Sequence, residues 1–262
     1  MAEKRKLSSL FDLSGKIALV TGASRGIGQV AAATLAEGGA DVIVCSRNLS
    51  ALDATVETIR STGRKALALE IDVSSQSSIK KAFAEGVKAF GRLDILVNSA
   101  GTNFRKPATD WTEQEWGQIV NVNLLGTFLC CQEAGKLMIA QQSGGKIIIL
   151  ASLLTAYGVP VIGIVPYASS KAALAGLTRS LGVEWAKYRI NVNGLGPGYI
   201  KTELTRAIHE DPVRSPVIVS RIPIGRWGVP DDLRGAFLFL SSAASDYMTG
   251  QILWVDGGWT AT

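Results

Sequence analysis

Lys16-Ile-Ala-Leu-Val20 leads directly into Thr21-Gly22-Ala23-Ser24-Arg25-Gly26-Ile27-Gly28, and Val30-Ala-Ala-Ala33 follows. An apolar run, a glycine-rich turn and a run of helix formers predict, in that order, a strand, a loop and a helix. Glycines let main-chain amides approach an anion at the helix N-terminus, where the helix dipole favours negative charge. The spacing G-x-x-x-G-x-G also suits a plain tight turn, but its place at the first strand-to-helix junction favours a loop for the pyrophosphate of a dinucleotide.

The alternation of strand and helix continues along the chain. Apolar runs predict strands at Ile17 to Val20, Val42 to Cys45, Ala66 to Ile71, Ile95 to Val97, Ile147 to Leu150, Ile190 to Val192 and Ile252 to Val255. Helical patterns between them cover Gly26 to Gly38, Asn48 to Thr62, Ser75 to Phe90, Thr112 to Gln141, Tyr167 to Lys187 and Asp231 to Ser241. Continuous apolar runs are typical of strands buried on both faces. We therefore predict an α/β fold, a Rossmann-type doubly wound sheet of about seven parallel strands with helices on both faces.

Length and composition agree with one domain. The chain has 262 residues, of which 47% are hydrophobic and 19% charged, and this suits a large buried core. We predict a single domain over residues 1–262, with residues 1–13 as an N-terminal extension. The stretch 202–230 holds Pro212, Pro216 and Pro223. A long irregular segment in a compact domain is typical of a substrate-binding loop or lid.

Charge and hydropathy exclude several classes of partner. The 27 basic and 22 acidic side chains give a net charge of +5, which favours an anionic small molecule over nucleic acid. The uncharged stretch from Ile147 to Ser170 is interrupted by Gly158 and Pro160, so a buried strand and a loop are favoured over a membrane span. The N-terminus lacks the apolar core of a signal peptide, and we expect a cytoplasmic protein.

The cysteines and the single histidine suggest no metal site. Cys45, Cys130 and Cys131 lack the spacing of metal ligands, and we interpret them as reduced residues that pack in the core. His209 lies in the segment 202–230. It either contacts a ligand or, as we favour, is an exposed loop residue.

The end of the second predicted strand bears on the choice of cofactor. In dinucleotide folds an acidic residue at this point holds the ribose 2′-hydroxyl. This chain has Ser46 and Arg47 instead, and Arg25 lies in the glycine loop. Guanidinium groups match phosphate geometry, whereas a carboxylate would repel a 2′-phosphate. We expect NADP(H) to be preferred over NAD(H), the alternative being that both arginines are solvated surface residues.

Tyr167 and Lys171 are four residues apart at the start of a predicted helix, so their side chains share one face. An adjacent ammonium group favours the phenolate and is expected to lower the pKa of Tyr167 from its ordinary value of about 10. General acid–base chemistry at a hydroxyl then becomes feasible. An isolated pair of this kind is also common on surface helices.

Taken together, these motifs make the chain resemble the short-chain dehydrogenase/reductase family over essentially its whole length, as far as Val255-Asp256-Gly257-Gly258. The resemblance implies an oxidoreductase that interconverts a ketone and a secondary alcohol by hydride transfer. Tyr167 would be the general acid/base, Lys171 would hold the nicotinamide ribose and lower the pKa of the tyrosine, and Ser152 would bind the substrate oxygen. Asn123 would support a proton-relay water.

The resemblance also implies where the cofactor is bound. Asp72, followed by Val73, would contact the adenine, and Pro197 to Thr202 would border the nicotinamide. The loop Asn98-Ser99-Ala100-Gly101 stands where the family usually has Asn-Asn-Ala-Gly. The predicted cofactor set is Gly22, Ser24, Arg25, Gly26, Ile27, Gly28, Ser46, Arg47, Asp72, Val73, Asn98, Ala100, Gly101, Tyr167, Lys171, Pro197, Gly198, Ile200 and Thr202.

The spacing of the serine departs from the family pattern. Fifteen positions separate Ser152 from Tyr167, where the family usually has thirteen, and counting back thirteen reaches Leu154. The serine-to-Gly-x-Pro spacing is normal, so we place a two-residue insertion in the stretch 161–166. Ser152 remains the predicted serine, with Thr155 as the alternative.

Substrate choice is predicted to depend on the segments 102–107, 153–166 and 202–230. Arg105 would stand near the substrate mouth, where its guanidinium can bind a carboxylate, and a surface or intersubunit ion pair is the alternative. This segment and the opening Leu10 to Lys16 resemble the gluconate 5-dehydrogenase branch, which implies a sugar acid or polyol substrate. The tentative substrate contacts are Arg105, Ser152 and Tyr167.

Other functions stay open at this point. Basic surface residues and the apolar stretch 159–165 suit a 3-oxoacyl thioester or a bulky ketone. An inactive NADP-sensing or scaffold protein on the same fold is an alternative of another class. The resemblance further implies a homotetramer, or a dimer, formed through the helices predicted at Thr112 to Gln141 and Tyr167 to Lys187.

Overall fold

The sheet extends on both sides of the strand that precedes the glycine loop. A computed structural model describes residues 6–155 and 163–262 of the chain. The described residues form a seven-stranded sheet in the order β3-β2-β1-β4-β5-β6-β7, in which every neighbouring pair is parallel. The strands are β1 Ile17–Thr21, β2 Asp41–Ser46, β3 Ala66–Glu70, β4 Ile95–Asn98, β5 Gly145–Leu150, β6 Ile190–Pro197 and β7 Ile252–Val255. The predicted Rossmann-type doubly wound fold is confirmed.

Helices connect the strands and cover both faces of the sheet. In the described part of the chain they are α1 Leu7–Leu10, α2 Gly26–Glu37, α3 Asp53–Ser61, α4 Gln76–Phe90, α5 Glu113–Val120, α6 Gly126–Gln141, α7 Val165–Trp185, α8 Arg206–His209, α9 Arg214–Val219 and α10 Arg234–Ser241. The residues between α5 and α6 form a π-helical turn, Asn121–Leu125, so the long helix predicted from Thr112 to Gln141 is interrupted in its middle.

Side chains of each strand alternate between two core layers. In β1, Ile17 and Leu19 pack in the layer covered by α4, α6 and α7. Ala18 and Val20 pack on the other face, against α2, α3 and α10. All five residues of β1 are buried, and a strand with two covered faces needs the continuous apolar run that its sequence has.

The largest differences from the sequence predictions lie in β6 and in the segment 202–230. β6 continues through Asn193 to Pro197, because its main chain goes on pairing with β5 and β7 after the apolar run has ended. The segment 202–230, predicted to be irregular, contains the short helices α8 and α9. Proline fits within the first turn of a helix, where its missing N–H is not needed, and Pro216 takes such a place in α9.

The structure also shows where the cysteines and the histidine lie. All three cysteines are buried, as predicted, and burial raises the pKa of Cys130 to about 12. The prediction that His209 is an exposed loop residue is wrong: it ends α8, only 15% of its side chain is exposed, and its ring lies edge-on to Trp227. Within residues 6–155 and 163–262, no helix is long and apolar enough to cross a membrane.

Candidate active site

A cleft opens at the carboxyl ends of β1 and β4, where the strand order reverses direction. Open parallel sheets bind ligands at such a switch point, because the loops after neighbouring strands turn away to opposite faces. The cleft has a volume of about 1120 Å³. Its two central loops touch closely, since a Cβ added to Gly22 would lie 2.8 Å from the main chain of Ala100. A residue larger than glycine at position 22 would therefore push these loops apart.

The glycine loop leaves the start of α2 open toward the cleft. Gly22 and Gly26 have φ angles of +67° and +59°, which glycine adopts without strain. The side chain of Arg25, the N-cap residue of α2, makes no capping hydrogen bond. The amides of the first helical turn thus receive no side-chain acceptor, and the positive end of the helix dipole faces the cleft. An anionic group of a ligand fits this position.

The next part of the cleft lies at the end of β2. Ser46 and Arg47 line it together with Arg25, Asp72 and Val73. The hydroxyl of Ser46 donates to the main-chain oxygen of Asn48 at 2.6 Å, so its proton is already used in the turn. The two guanidinium groups are exposed at this end of the cleft.

Tyr167 and Lys171 lie in the first two turns of α7 and line the same cleft. The Lys171 Nζ donates to the main-chain oxygen of Leu150 at 2.6 Å, and it lies 5.9 Å from the centroid of the Tyr167 ring. Burial lowers the pKa of Lys171 to about 8, because a charged ammonium group loses hydration there.

The expected lowering of the pKa of Tyr167 is wrong. Burial raises the pKa of Tyr167 to about 12, and a hydrogen bond with the side chain of Ser152 only partly opposes this effect. The ammonium group of Lys171 is directed at Leu150 rather than at the phenol, so it does not compensate for the lost hydration. The phenol is therefore protonated at neutral pH.

Ser152 reaches Tyr167 despite the unusual spacing. It follows β5, and its hydroxyl accepts a hydrogen bond from the amide of Leu154 at 3.3 Å besides its contact with the phenol. Thr155 is buried, and its hydroxyl donates to the main-chain oxygen of Lys171 at 3.1 Å and accepts from the amide of Ser152. Thr155 thus braces this turn internally. The predicted insertion overlaps residues 156–162, which lie outside the described residues.

Asn123 braces the loop after β4 from the π-helical turn. Its Oδ1 accepts from the amide of Thr102 at 2.8 Å, and its Nδ2 donates to the Thr102 oxygen at 3.0 Å and to the Ser170 hydroxyl at 3.2 Å. Three partners hold this buried amide in one orientation. Asn98 is buried too, and its Nδ2 lies 3.2 Å from the Cys131 Sγ.

The cleft brings together nearly all of the predicted site residues. The exceptions are Gly26, Asn98, Asn123 and Arg105, which are not among its lining residues. Gly198, Ile200 and Thr202 line it after β6, Pro197 lines it at the end of that strand, and Gly101 lines it from the loop after β4.

Asn103, Glu203 and Leu204 also line the cleft, and they lie in the segments 102–107 and 202–230 that the sequence predicts for the substrate. Sequence reasoning missed the lining residues Gln118, Asn121, Leu150 and Ala151, of which the last two could have been found by their position at the carboxyl end of β5. The Oδ1 of Asn103 is buried and has no hydrogen-bond partner among the described residues. A ligand with a hydroxyl or amide donor would satisfy this atom.

Arg105 lies beside the cleft rather than in it. It lines a second cavity of about 560 Å³, together with Tyr199, Trp259 and residues of α9. Burial lowers the pKa of Arg105, and the nearby charge of Arg214 lowers it further. The position agrees with the predicted neighbourhood of the substrate mouth, next to the lid segment.

The lining as a whole fits a dinucleotide phosphate. It offers uncapped helix amides for a pyrophosphate, two guanidinium groups at the end of β2, a buried lysine near the phenol and an unsatisfied amide oxygen on Asn103. A continuous cleft joins these groups, from the loop after β1 to Thr202 after β6. The arrangement can hold an extended anionic ligand with one end beside Tyr167.

Comparisons with known proteins agree with this geometry. The family model described as enoyl-(acyl carrier protein) reductase matches residues 22–260. A 2-dehydro-3-deoxy-D-gluconate 5-dehydrogenase of Escherichia coli (strain K12) is 42% identical over 97% of this chain and 98% of its own length. The 5-keto-D-gluconate 5-reductase of the same strain is 39% identical over 96% of this chain and 98% of its own length.

A solved structure is equally similar. The crystal structure of a gluconate 5-dehydrogenase from Burkholderia cenocepacia J2315, in complex with NADP and tartrate, superposes with a TM-score of 0.93. It is 40% identical in sequence, over 98% of this chain and all of that one. This chain therefore belongs to the short-chain dehydrogenase/reductase family of oxidoreductases, in the branch of these gluconate dehydrogenases and reductases.

Proposed function

We propose that the protein is an NADP(H)-dependent oxidoreductase that interconverts the ketone and the secondary alcohol of a sugar acid. One observation carries this proposal: Tyr167 and Ser152, whose side chains interact, line the same cleft as the open N-terminus of α2. A proton-transferring pair thus stands at one end of an anion-binding cleft. The nicotinamide of the cofactor would donate a hydride to the carbon that bears the substrate oxygen during reduction, and would accept one from it during oxidation.

Tyr167 is the general acid/base in this proposal. Its pKa of about 12 keeps the phenol protonated at neutral pH, which suits donation of a proton to a carbonyl oxygen. Ser152 orients that oxygen by a second hydrogen bond. The hydrogen bond that the main-chain amide of Leu154 donates to the serine hydroxyl fixes its position. Two hydroxyls directed at one oxygen position it for reaction.

Lys171 and Asn123 support the pair. The ammonium group of Lys171 is buried near the phenol, where its positive charge would stabilise a phenolate formed during alcohol oxidation. Asn123 acts through the main chain of Thr102, which it binds at two atoms, and so fixes the cleft wall opposite α7. A mobile wall would allow more than one substrate pose.

The preference for NADP over NAD is supported by the charges at the end of β2. Arg25 and Arg47 both line the cleft, and neither Cys45 nor Ser46 supplies the carboxylate that would hold a free 2′-hydroxyl. NADP is also the cofactor in the Burkholderia complex. A 2′-phosphate placed between two guanidinium groups would form charge-assisted hydrogen bonds.

The names of the relatives support a sugar acid as the substrate class. They act on gluconate or on its keto and deoxy derivatives. In this chain Arg105 offers a guanidinium group beside the cleft for the carboxylate of such an acid. The hydroxyls of a sugar acid would also suit the unsatisfied oxygen of Asn103.

A substrate panel with the purified protein tests the proposal. We expect NADPH oxidation with 5-keto-D-gluconate, NADP⁺ reduction with gluconate, and far weaker turnover of acetoacetyl thioesters and aryl ketones. Turnover confined to thioesters or aryl ketones would assign a carbonyl reductase instead. Cofactor binding without turnover of any of them would assign an NADP sensor.

The assembly is proposed to be a homotetramer, or a dimer. The helices α5 to α7, with the turn between α5 and α6, leave apolar side chains exposed at Trp116, Leu125 and Val183. Exposed apolar groups on neighbouring helices are typical of surfaces that pair between subunits. Light scattering measures the mass directly, and a monomer at micromolar concentration would contradict the proposal.

A further inference from the structure

The cavity beside the cleft has an unusual combination of lining groups. It encloses about 560 Å³ and is bordered by the segment 105–107, by Gly163, by Tyr199, by α8 and α9 and by Trp259. Its charged side chains are cationic: Arg105, Lys106, Arg214 and Arg221. Among the described residues that line it, none is acidic. A cavity with positive groups and without a lining carboxylate is suited to an anion.

Arg214 and Arg221, the two arginines of the segment 202–230 that line the cavity, can donate hydrogen bonds to a ligand. Arg214 approaches Asp211 only loosely, with 3.5 Å between its Nε and the Asp211 Oδ2. Arg221 stacks over the Trp259 ring at 4.8 Å, and a stacked guanidinium still presents its N–H groups in its own plane. Both side chains can therefore donate to an oxygen atom in the cavity without breaking a strong ion pair.

The positive charges that line the cavity change the pKa values of neighbouring side chains. The charge of Arg214 lowers the pKa of Arg105, after burial, so the two like charges repel across the cavity. The charges of Arg105 and Arg221 both lower the pKa of Tyr199, although burial raises it more. An anion bound among these groups would relieve the repulsion between the guanidinium groups.

The cavity and the cleft share the same walls. Asn103 lines the cleft, and Arg105, two residues later, lines the cavity. After β6, Gly198 lines the cleft and Tyr199, the next residue, lines the cavity. The main-chain amide of Lys106 donates to the oxygen of Gly163 at 3.0 Å, which joins the first of these walls to the segment before Tyr167. A substrate whose reacting carbon meets Tyr167 would extend its other end into the cavity.

We propose that Arg214 and Arg221 bind, together with Arg105, the carboxylate end of the substrate, and that they make the enzyme select sugar acids over neutral polyols and ketoses. The rings of Tyr199 and Trp259 would pack against the aliphatic C–H face of the sugar chain, since ligand sites combine apolar walls with a few directed polar groups. The selectivity rests on the proposed function, because it concerns the far end of the same substrate.

Steady-state kinetics provide the first test. The variants Arg214→Gln, Arg221→Gln and the double variant are compared on 5-keto-D-gluconate and on the neutral ketose L-sorbose, with NADPH saturating. We expect each single change to raise KM for the acid about 10- to 100-fold, with kcat changed less than threefold and with no loss of activity on sorbose. Arg221→Lys, which keeps the charge but loses the planar fork, should give an intermediate KM.

Arg60→Gln is the matched control. It removes the same charge from the exposed face of α3 and lines neither cavity, so its kinetic constants should equal those of the wild type. Circular dichroism and thermal melting establish that each variant is folded. An unchanged KM for the acid in a folded double variant would overturn the assignment.

Binding of tartrate gives a test that does not need turnover. Tartrate and its neutral analogue threitol are titrated into the NADP-loaded protein by calorimetry. We expect tartrate to bind, threitol not to bind, and the double variant to lose at least 10-fold in tartrate affinity. Tartrate binding that depends on both arginines, in a protein that turns over no sugar acid, would uphold the anion site and contradict the proposed function. Tartrate binding unaffected by the double variant would overturn the anion site, whatever the enzyme turns over.

Discussion

The Nζ of Lys171 donates a hydrogen bond of 2.6 Å to the main-chain oxygen of Leu150, the last residue of β5. This bond ties α7 to the carboxyl end of β5 at the cleft. Burial nevertheless lowers the pKa of Lys171 to about 8, because one carbonyl does not replace the water that a charged ammonium group loses. The protein therefore holds this charge at a cost to its stability.

That cost should appear in the pH dependence of stability. Because the pKa of Lys171 is about 8 in the folded chain and 10.5 ordinarily, the unfolded chain binds more protons between these values, and stability rises with pH. Relative to Lys171→Met, the wild type should gain about 2 kcal/mol of unfolding free energy between pH 7.5 and 9.5. Urea melts of the cofactor-free proteins measure the difference. A difference that stays constant with pH would contradict the lowered pKa.

Replacement of Tyr167 by phenylalanine removes the proton donor and leaves most of the packing. We expect kcat/KM for ketone reduction to fall by about 10²- to 10⁴-fold, with NADPH affinity unchanged within a factor of about three. Because the pKa of Tyr167 is about 12, reduction by the wild type should not require a more acidic pH than 7. Stopped-flow measurement of NADPH consumption checks the first result, and fluorescence titration of NADPH checks the second. A comparable rate in the variant would exclude Tyr167 as the acid.

Ser152 and Thr155 should respond to substitution in opposite ways. Ser152→Ala removes the hydroxyl that meets the phenol, and we expect kcat to fall about 100-fold with little change in melting temperature. Thr155→Val removes a buried hydroxyl that bonds to the Lys171 oxygen, so stability should fall by about 1–3 kcal/mol. Paired assays and melts of the two variants separate the roles. Near-normal turnover in Ser152→Ala would move the role to another hydroxyl.

The preference for NADPH over NADH should depend on the side chain of Arg47. In Arg47→Asp a carboxylate stands where a 2′-phosphate would lie, and it can accept a hydrogen bond from a free 2′-hydroxyl. We expect the ratio of kcat/KM for NADPH to that for NADH to fall by about 100-fold. Saturation curves with both cofactors give this ratio. A wild type that uses NADH equally well would overturn the proposed preference before any variant is made.

The glycine loop should tolerate no side chain at its closest approach. A Cβ at position 28 would lie 2.2 Å from the Gly22 oxygen, so Gly28→Ala must displace main chain. We expect a loss of about 1–3 kcal/mol in stability and weakened NADPH binding. Gly235→Ala is the control, because a Cβ there meets nothing within 4 Å and lies in α10. Its stability should stay the same or rise by up to about 1 kcal/mol.

The fold was largely predictable because its signals are local. A strand buried on both faces must be apolar at successive positions, and β1 and β2 show this directly. β6 was cut short because its last residues, including Gly194 and Gly196, are held by main-chain pairing that a hydropathy pattern does not report. Helices α8 and α9 were missed because they are short and because Pro212 and Pro216 make this stretch resemble an irregular loop.

The site residues that belong to family motifs could be predicted from the sequence, but their burial, pKa values and long-range interactions could not. The expected fall in the Tyr167 pKa failed because sequence gives the spacing of Lys171 but neither its burial nor its bond to Leu150. Ser152 meets Tyr167 across fifteen positions partly through the turn Leu153–Thr155, whose hydrogen bonds the sequence does not reveal. Interactions between distant segments, such as the effect of the Arg214 charge on Arg105, leave no periodic pattern in the sequence.

Helix α7 carries Tyr167 in its first turn and continues into the core through Leu174 and Leu181, whereas α8 and α9 are short helices with several exposed residues. Changes at the exposed residues of α8 and α9 therefore leave the packing of α7 intact, and a duplicated gene can acquire a new substrate by a few such changes. A directed-evolution library confined to the exposed residues of α8 and α9 follows the same route, because these helices and α7 are separate stretches of the polypeptide.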